Sequence, residues 1–230
     1  MTDNVSTPQQ GQATAPAAPP AVRPARGKPQ PNAERKRPPR PRQAHPALEK
    51  LFELYPGLFG AQFKPLKIGV FEDLLARHPD AFKREDLKVA LGLHARSTAY
   101  LESVANGLQR HDLDGNPVAP LAPEHVHHAI LEVFRRRQAR TADDLRPRVV
   151  TRLAKAIEAS DLTPHEYAQA MRTQDATASA ILDEAVALLA QAAAKREALA
   201  RAFNASGQSI EAFAEMYGMD PVEVARTLGG

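Results

Sequence analysis

Residues 110–118 read Arg-His-Asp-Leu-Asp-Gly-Asn-Pro-Val, and this stretch interrupts the helical spacing found on either side of it. Asp114-Gly115 is typical of a tight hairpin turn, because that turn requires positive φ angles that glycine adopts without strain. The flanking residues 109–113 and 117–118 can then extend as two short strands. The sequence therefore predicts one short β-hairpin inside a mainly α-helical fold.

Apolar residues at helical spacing predict four helices before the hairpin. The first two cover residues 47–55 and 67–77, with a loop over 58–65 between them. Asp80 is the predicted N-cap of the third helix. The fourth helix is expected to end at Gly107, because glycine suits the left-handed position just after a helix.

Helical patterns also follow the hairpin. Pro123 is expected at the first position of a helix, and Thr163-Pro164-His165-Glu166 has the form of a capping box. A long alanine-rich helix is expected to pack through a narrow stripe that includes Leu189, Ala192 and Leu199. The predicted helices after the hairpin include segments near 123–137, 145–157, 176–203, 209–217 and 221–228.

Charge and proline divide the chain into three predicted parts. Residues 1–44 carry a net charge of +6 and 10 of the 20 prolines, residues 45–140 carry +1, and residues 141–230 carry −4. We expect the first part to be a disordered basic arm, since it has too few large apolar side chains to form a core. It would serve either as a solubilising tail or as a nonspecific tether for polyanions. The other two parts are the predicted functional domain and an acidic, all-helical C-terminal module.

Composition excludes several classes of protein. The chain has no cysteine, which excludes disulfides, cysteine-ligated zinc and thiol catalysis. No run approaches the roughly 20 apolar residues of a membrane span, and the first residues lack the form of a signal peptide, so we expect a cytoplasmic protein without a membrane partner. His125, His127 and His128 lack companion ligands and are expected to be surface or core residues. We expect no catalytic residues, no cofactor and no metal, and hence no enzyme.

Basic residues alternate with aromatic ones in the middle of the chain. An RNA end needs cations for its phosphates and a ring for stacking or for contact with a 2′-hydroxyl. Lysines and arginines are also ordinary solvated surface residues, so this pattern alone leaves both interpretations open. The candidates for RNA binding are Lys64, Lys67, Arg84, Lys88, Arg96, Tyr100 and Arg110.

Several short motifs resemble those of the ProQ/FinO family of bacterial RNA chaperones. Their order and spacing agree with the family over about residues 46–138. The motifs are Pro65-Leu66-Lys67-Ile68-Gly69-Val70 with Asp73-Leu74, Leu87-Lys88-Val89-Ala90-Leu91 with Tyr100-Leu101, Arg110-His111-Asp112-Leu113-Asp114-Gly115-Asn116-Pro117, and Glu124-His125-Val126 with His128-Ala129.

The resemblance implies a small helical domain with a short β element that binds structured RNA. Such domains typically take the base of a hairpin and its single-stranded 3′ tail on a concave face, in small RNAs or at messenger 3′ ends. Lys67, Arg84 and Lys88 match basic positions of the family. Tyr100 matches the tyrosine of the 3′-end pocket, and Arg110 matches the arginine before the turn. The implied function is that of an RNA chaperone in post-transcriptional regulation by small RNAs.

This sequence also departs from better-known members of the family. Gly92 stands where a basic residue is often found, and His94 stands where an aromatic is often found. Ala99 and Ala105 stand where arginine and lysine occur in other members. Fewer cations imply weaker or more selective binding, unless other basic segments compensate.

The end of the chain supports alternatives from other functional classes. Ala214, Gly218 and Val224 have the spacing of a helix-turn-helix, which would make the chain a DNA-binding regulator. The second helix of that pair holds only one positive charge, however, whereas a DNA-reading helix should be basic. Residues 141–230 could instead form a protein-interaction adaptor, or could contact the basic face of the same chain.

Overall fold

The computed structural model describes residues 45–60 and 62–229, and within them the prediction of a mainly α fold with one short hairpin is confirmed. The basic arm predicted over residues 1–44 lies outside the described residues. The elements before residue 120 are α1 (Pro46–Leu54), α2 (Pro56–Phe59), α3 (Val70–Arg77), α4 (Arg84–Ala95), α5 (Thr98–Ala105), β1 (Arg110–His111) and β2 (Pro117–Ala119). Those after it are α6 (Pro123–Gln138), α7 (Arg146–Glu158), α8 (Pro164–Met171), α9 (Ala176–Ser206), α10 (Ile210–Tyr217) and α11 (Pro221–Leu228).

The hairpin forms where its sequence predicts it, but its first strand is shorter than the predicted 109–113, because β1 ends at His111 and residues 112–116 form the turn. Strands β1 and β2 pair antiparallel, and Gly115 adopts a φ of 82°. One carboxylate oxygen of Asp112 accepts hydrogen bonds from the backbone N–H groups of Asp114 at 3.0 Å and Asn116 at 2.9 Å. The hydrogen bonds from Asn116 hold the pKa of the Asp112 carboxyl below its usual range. Asp112 is therefore a residue that fixes the turn.

Residues 65–67 lie alongside β1 in an extended conformation. The backbone N–H of His111 donates to the carbonyl of Pro65 at 2.7 Å, and the N–H of Lys67 donates to the carbonyl of His111 at 2.8 Å. This parallel pairing overturns the prediction that a helix begins at Lys67, since α3 begins only at Val70. Gly69 makes the change of direction with a φ of 88°, in the left-handed region.

The start of α4 is also corrected. Asp80 is not its N-cap, because residues 79–81 form a turn that brings Phe82 into the core, and the helix starts at Arg84. Gly107 has a φ of 71° just after α5, the fourth of the predicted helices, as expected. Thr163 and Glu166 form the predicted capping box at the start of α8.

Two hydrophobic clusters make up most of the core. The first joins α1–α4 and includes Leu51, Phe59, Leu74 and Leu87. Tyr100 of α5 packs against both clusters. The second cluster joins residues of α5–α9, and its members include Val104, Ile130, Leu131, Leu153, Ile157, Tyr167, Ile181 and Leu182. This cluster crosses the boundary proposed at residues 140/141, so the two segments share one core; their division into separate domains remains a prediction.

Helix α9 links the second cluster to a small third cluster near the end of the chain. Its contacts with the second cluster end at Leu189, and residues 190–198 are exposed, including Ala192, which was expected on the packed stripe. The third cluster consists of Phe213, Ala214 and Val224, with Leu199 packed against it. By length and composition alone α9 could cross a membrane, which the sequence expectation overlooked. Its first half packs as a core helix against α7 and α8.

Candidate nucleic-acid interface

Three of the predicted RNA-binding residues meet at the extended segment 65–67. The hydroxyl of Tyr100 accepts a hydrogen bond from the backbone N–H of Leu66 at 3.1 Å. The Nη1 of Arg110 donates to the carbonyl oxygen of Leu66 at 3.0 Å. Lys67 is the next residue along the chain. Tyr100 and Arg110 lie 33 and 43 residues beyond Lys67 in the sequence, yet both side chains bind the backbone of Leu66, its neighbour. We name Lys67, Tyr100 and Arg110 the Leu66 cluster.

The ammonium of Lys67 lies at the start of α3. It pairs with the carboxylate of Asp73 at 2.8 Å, and both side chains are more than a third exposed. An exposed ion pair contributes little to stability, because water screens the charges and competes for them. A phosphate oxygen can therefore replace the carboxylate at small cost.

Arg84 and Lys88 extend the basic surface along α4. The guanidinium of Arg84 pairs with Glu72 of α3 at 3.0 Å and lies 5.0 Å from the ring centroid of Phe71. Lys88 is exposed one turn further on, and no carboxylate in the described part of the chain lies within ion-pair distance of it. Glu72 and Asp73 are neighbours on α3, so this helix connects Arg84 to Lys67.

Lys64 and Arg96 make no hydrogen bond to Leu66 and are not part of the Leu66 cluster. Lys64 lines a cleft of about 340 Å³ with Tyr55 and Gly115, and it is half-buried. Arg96 caps the C-terminal end of α4, and a Cβ atom at Gly92 would lie 3.4 Å from its guanidinium. The guanidinium of Arg96 thus lies over Gly92, one turn from Lys88.

The ring of His94 packs against the ring of Tyr100. Its ring centroid lies 4.9 Å from that of Tyr100, 4.6 Å from that of Phe59 and 4.8 Å from that of Phe63. Neither ring nitrogen has a hydrogen-bond partner, and burial lowers the pKa of His94 to about 4. The imidazole is therefore neutral at pH 7 and acts as an aromatic packing residue.

Arg77 and Asp114 form an ion pair that the sequence does not predict. The guanidinium of Arg77, in the last turn of α3, donates to both carboxylate oxygens of Asp114 at 2.7 and 3.0 Å. This bidentate pair lowers the pKa of the Asp114 carboxyl and raises that of Arg77. With Lys67 and Asp73 the pair lines a cleft of about 460 Å³ beside the hairpin turn. No sequence pattern joins two residues 37 positions apart, so only the fold could reveal the pair.

Comparison with known proteins places this site in a family context. Residues 42–146 match the ProQ/FINO family. The chain is 47% identical over 88 residues to the RNA chaperone ProQ of Shewanella frigidimarina, which covers 36% of this chain and 43% of that protein. It is 46% identical over 86 residues to the RNA chaperone ProQ of Shewanella oneidensis, covering 36% and 40% of the two chains. The chain thus spans less than half the length of these relatives.

A solved structure is also similar. It is the crystal structure of a FinO-like RNA chaperone from Neisseria meningitidis, with 28% sequence identity and a TM-score of 0.33. The similarity covers 36% of this chain and 85% of that one.

Proposed function

We propose that this chain, whose residues 42–146 match the ProQ/FINO family, is a noncatalytic RNA-binding protein and RNA chaperone. We further propose that it recognises the base of an RNA hairpin with a single-stranded 3′ tail and acts in regulation by small RNAs in the cytoplasm. The observation that carries the proposal is that Tyr100 and Arg110 both bind the backbone of Leu66, the residue before Lys67, inside the matched region.

The Leu66 cluster offers complementary groups to an RNA end. The Tyr100 hydroxyl already accepts from the Leu66 N–H, which leaves its own O–H free to donate to a 2′-hydroxyl or a phosphate. Arg110 uses one nitrogen on Leu66 and keeps other N–H groups for a phosphate. Ile68 is 77% exposed beside Lys67 and gives an apolar surface for a ribose or a base.

The exposed ion pairs explain how such a site can bind RNA and release it again. Lys67 and Arg84 are paired with carboxylates that hold them near the surface until phosphates take over. When phosphates replace these carboxylates, the basic side chains are already ordered, so binding costs little side-chain entropy and remains reversible. A protein that holds RNA through such contacts can let strands pair and then release the duplex, with affinity that falls as salt rises.

Lys88 provides the clearest test, because it is exposed and has no ion-pair partner in the described residues. We expect Lys88→Gln to weaken binding to a hairpin RNA with a free 3′ tail and to lower the salt slope by roughly 0.7–0.9, with unchanged thermal stability. The matched control is Lys195→Gln, which removes an exposed lysine from α9. The measurement is fluorescence anisotropy over a salt series. Equal affinities for the two variants, or equal binding to the hairpin and to duplex DNA, would refute the proposal.

The DNA-binding alternative rests on the final helix pair. Ala214 and Val224 are fully buried, and Gly218 has a left-handed φ of 64°, as a helix-turn-helix requires. Helix α11 nevertheless carries only Arg226 as a cation, and Met216, Tyr217, Met219 and Val222 are exposed on and around the turn. These features favour a structural or protein-interaction role for the pair. Duplex-DNA binding lost on Arg226→Gln would instead favour the regulator.

A further inference from the structure

Helix α7 has a basic face that the negative net charge of residues 141–230 conceals. Over 13 residues this helix holds four cations and one carboxylate, that of Glu158. Five residues of this helix line an open cleft of about 430 Å³ on its surface. They include Arg148, Thr151, Arg152 and Lys155.

The four cations of α7 fall into two classes. Arg146 pairs with Glu184 at 2.7 Å, and Arg152 pairs with Glu102 of α5 at 2.8 Å, so both hold helices together. Arg148 and Lys155 are exposed, and within residues 45–60 and 62–229 neither has a carboxylate at ion-pair distance. They lie seven residues apart, which is about 10 Å along a helix. The structure thus keeps two unneutralised charges on one side of α7.

A groove connects this face to the hairpin that carries Arg110. The groove has a volume of about 520 Å³, and Arg152 and Lys155 form one wall of it. The opposite wall includes Gln109 and Pro120, which adjoin the paired residues Arg110 and Ala119 of the hairpin. The groove therefore reaches the residue that directly precedes Arg110 of the Leu66 cluster.

Arg152 fixes the two walls relative to each other. Its Nη2 donates to the side-chain oxygen of Asn106 at 2.7 Å, and its Nη1 donates to Glu102 at 2.8 Å. Both acceptors belong to the end of α5, the helix that also carries Tyr100. An RNA strand that leaves the Leu66 cluster along this groove would thus meet the guanidinium of Arg152 at a fixed position.

We propose that the groove between α7 and the hairpin and the adjoining exposed face of α7 form a second RNA-contacting surface, in which Lys155 in the groove and Arg148 on the α7 face bind the sugar–phosphate backbone of an RNA whose 3′ end lies at the Leu66 cluster. This inference rests on the proposed function. Continuity with that cluster and the pair of unneutralised cations favour a polyanionic strand as the occupant. Helix α7 lies almost wholly beyond the family-matched residues, so the surface is a property of the C-terminal extension.

The first test changes charge without changing packing. In the full chain, Arg148→Gln with Lys155→Gln should lower the salt slope for a tailed hairpin RNA by about 1.4–1.8, since two phosphate contacts are lost. The control is Lys195→Gln with Arg196→Gln, which removes the same charge from the exposed part of α9. Thermal melting of both variants should match that of the unaltered chain.

The outcomes separate this inference from the proposed function. If the unaltered chain binds the RNA and the α7 variant binds it with the same affinity and slope, the groove is refuted and the function stands. If the unaltered chain binds no RNA, both are refuted. A slope that falls equally in the α7 and α9 variants would also refute the groove, because only general charge would then matter.

A second test locates the RNA directly. Because the chain has no cysteine, Thr151→Cys creates a unique attachment point for a photoactivated crosslinker on the α7 face. Crosslinks to the tailed hairpin RNA from this position, and not from Ala192→Cys on exposed α9, would support the proposal. Absence of RNA crosslinks at Thr151→Cys, or crosslinks to protein in their place, would overturn it.

Discussion

Leu66 has both of its backbone polar groups held by side chains that also serve as candidates for RNA binding. Tyr100 accepts from its N–H, and Arg110 donates to its carbonyl. Leu66 is itself buried, so these hydrogen bonds stabilise the domain as well as shaping its surface. Substitutions of Tyr100 and Arg110 therefore change stability and affinity together, and variants must be chosen to separate the two effects.

Tyr100→Phe removes only the hydroxyl, and its effects on stability and on affinity are measured independently. The ring keeps its place beside His94, but the Leu66 N–H loses its acceptor. We expect the free energy of unfolding to fall by about 1–3 kcal/mol, the cost of an unsatisfied buried donor, and RNA affinity to fall as well. Urea denaturation and anisotropy measure the two effects. An unchanged unfolding free energy would mean that the hydroxyl does not support Leu66.

Two buried histidines predict a loss of stability in acid. Burial lowers the pKa of His94 and that of His127 to about 4 in the folded chain, against about 6.5 when unfolded. As the pH falls from 6.5 towards 4, the unfolded state binds protons that the folded state does not, so the free energy of unfolding should decrease by roughly 3 kcal/mol per histidine.

The matched variant for this pH effect is His94→Phe, which keeps an aromatic ring among Phe59, Phe63 and Tyr100. Urea denaturation at pH 7, 6 and 5 should show a smaller decline for this variant than for the unaltered chain. Parallel declines would show that His94 does not titrate as its burial implies.

At the scale of elements, α3 shows where pattern reasoning succeeds and where it stops. The spacing of Val70, Phe71 and Leu74 correctly predicts a helix, but it also placed Lys67 within that helix. At Lys67 the backbone pairing with His111 replaces the helix. The local sequence does not indicate this pairing, because the partner lies 44 positions away. The hairpin and the capping box at Thr163 were predictable because each depends on residues within a few positions of one another.

Gly69 is the residue that permits this arrangement, and its substitution gives an element-scale prediction. A Cβ atom at Gly69 would meet no atom within 4 Å, so the cost of Gly69→Ala arises from its left-handed φ of 88° alone. We expect a loss of about 1–2 kcal/mol in the free energy of unfolding, together with weaker RNA binding because Lys67 is displaced.

The control for Gly69→Ala is Gly57→Ala in α2. A Cβ atom there also meets nothing within 4 Å, and no positive φ is required. This variant should be neutral or slightly stabilising by chemical denaturation, since alanine restricts the unfolded chain. Equal losses for the two glycines would show that φ at Gly69 is not the cause.

At the scale of the whole molecule, the second cluster joins the family-matched region to the helices after it. The apolar faces of α5 and α6 pack against α7–α9 through residues such as Ile130, Leu153 and Leu182. The amphipathic patterns predicted each of these helices, yet a pattern shows only that a face is buried and not which helix covers it. The sequence division at residues 140/141 followed charge, whereas the packing follows apolar area.

This shared core leads to a prediction about fragments. A fragment of residues 45–140 would expose Ile130 and Leu131, which are 1% and 4% exposed in the chain, together with Val104. Each large aliphatic side chain returned to water costs about 1.5–3 kcal/mol, so this fragment should unfold at a lower urea concentration than residues 45–206 and should bind a hydrophobic dye. Residues 45–206 retain α7–α9 and with them the whole second cluster, so Val104, Ile130 and Leu131 stay buried. Equal urea midpoints for the two fragments would establish residues 45–140 as an independent domain, and the stability of the RNA-binding region would then not depend on the C-terminal helices.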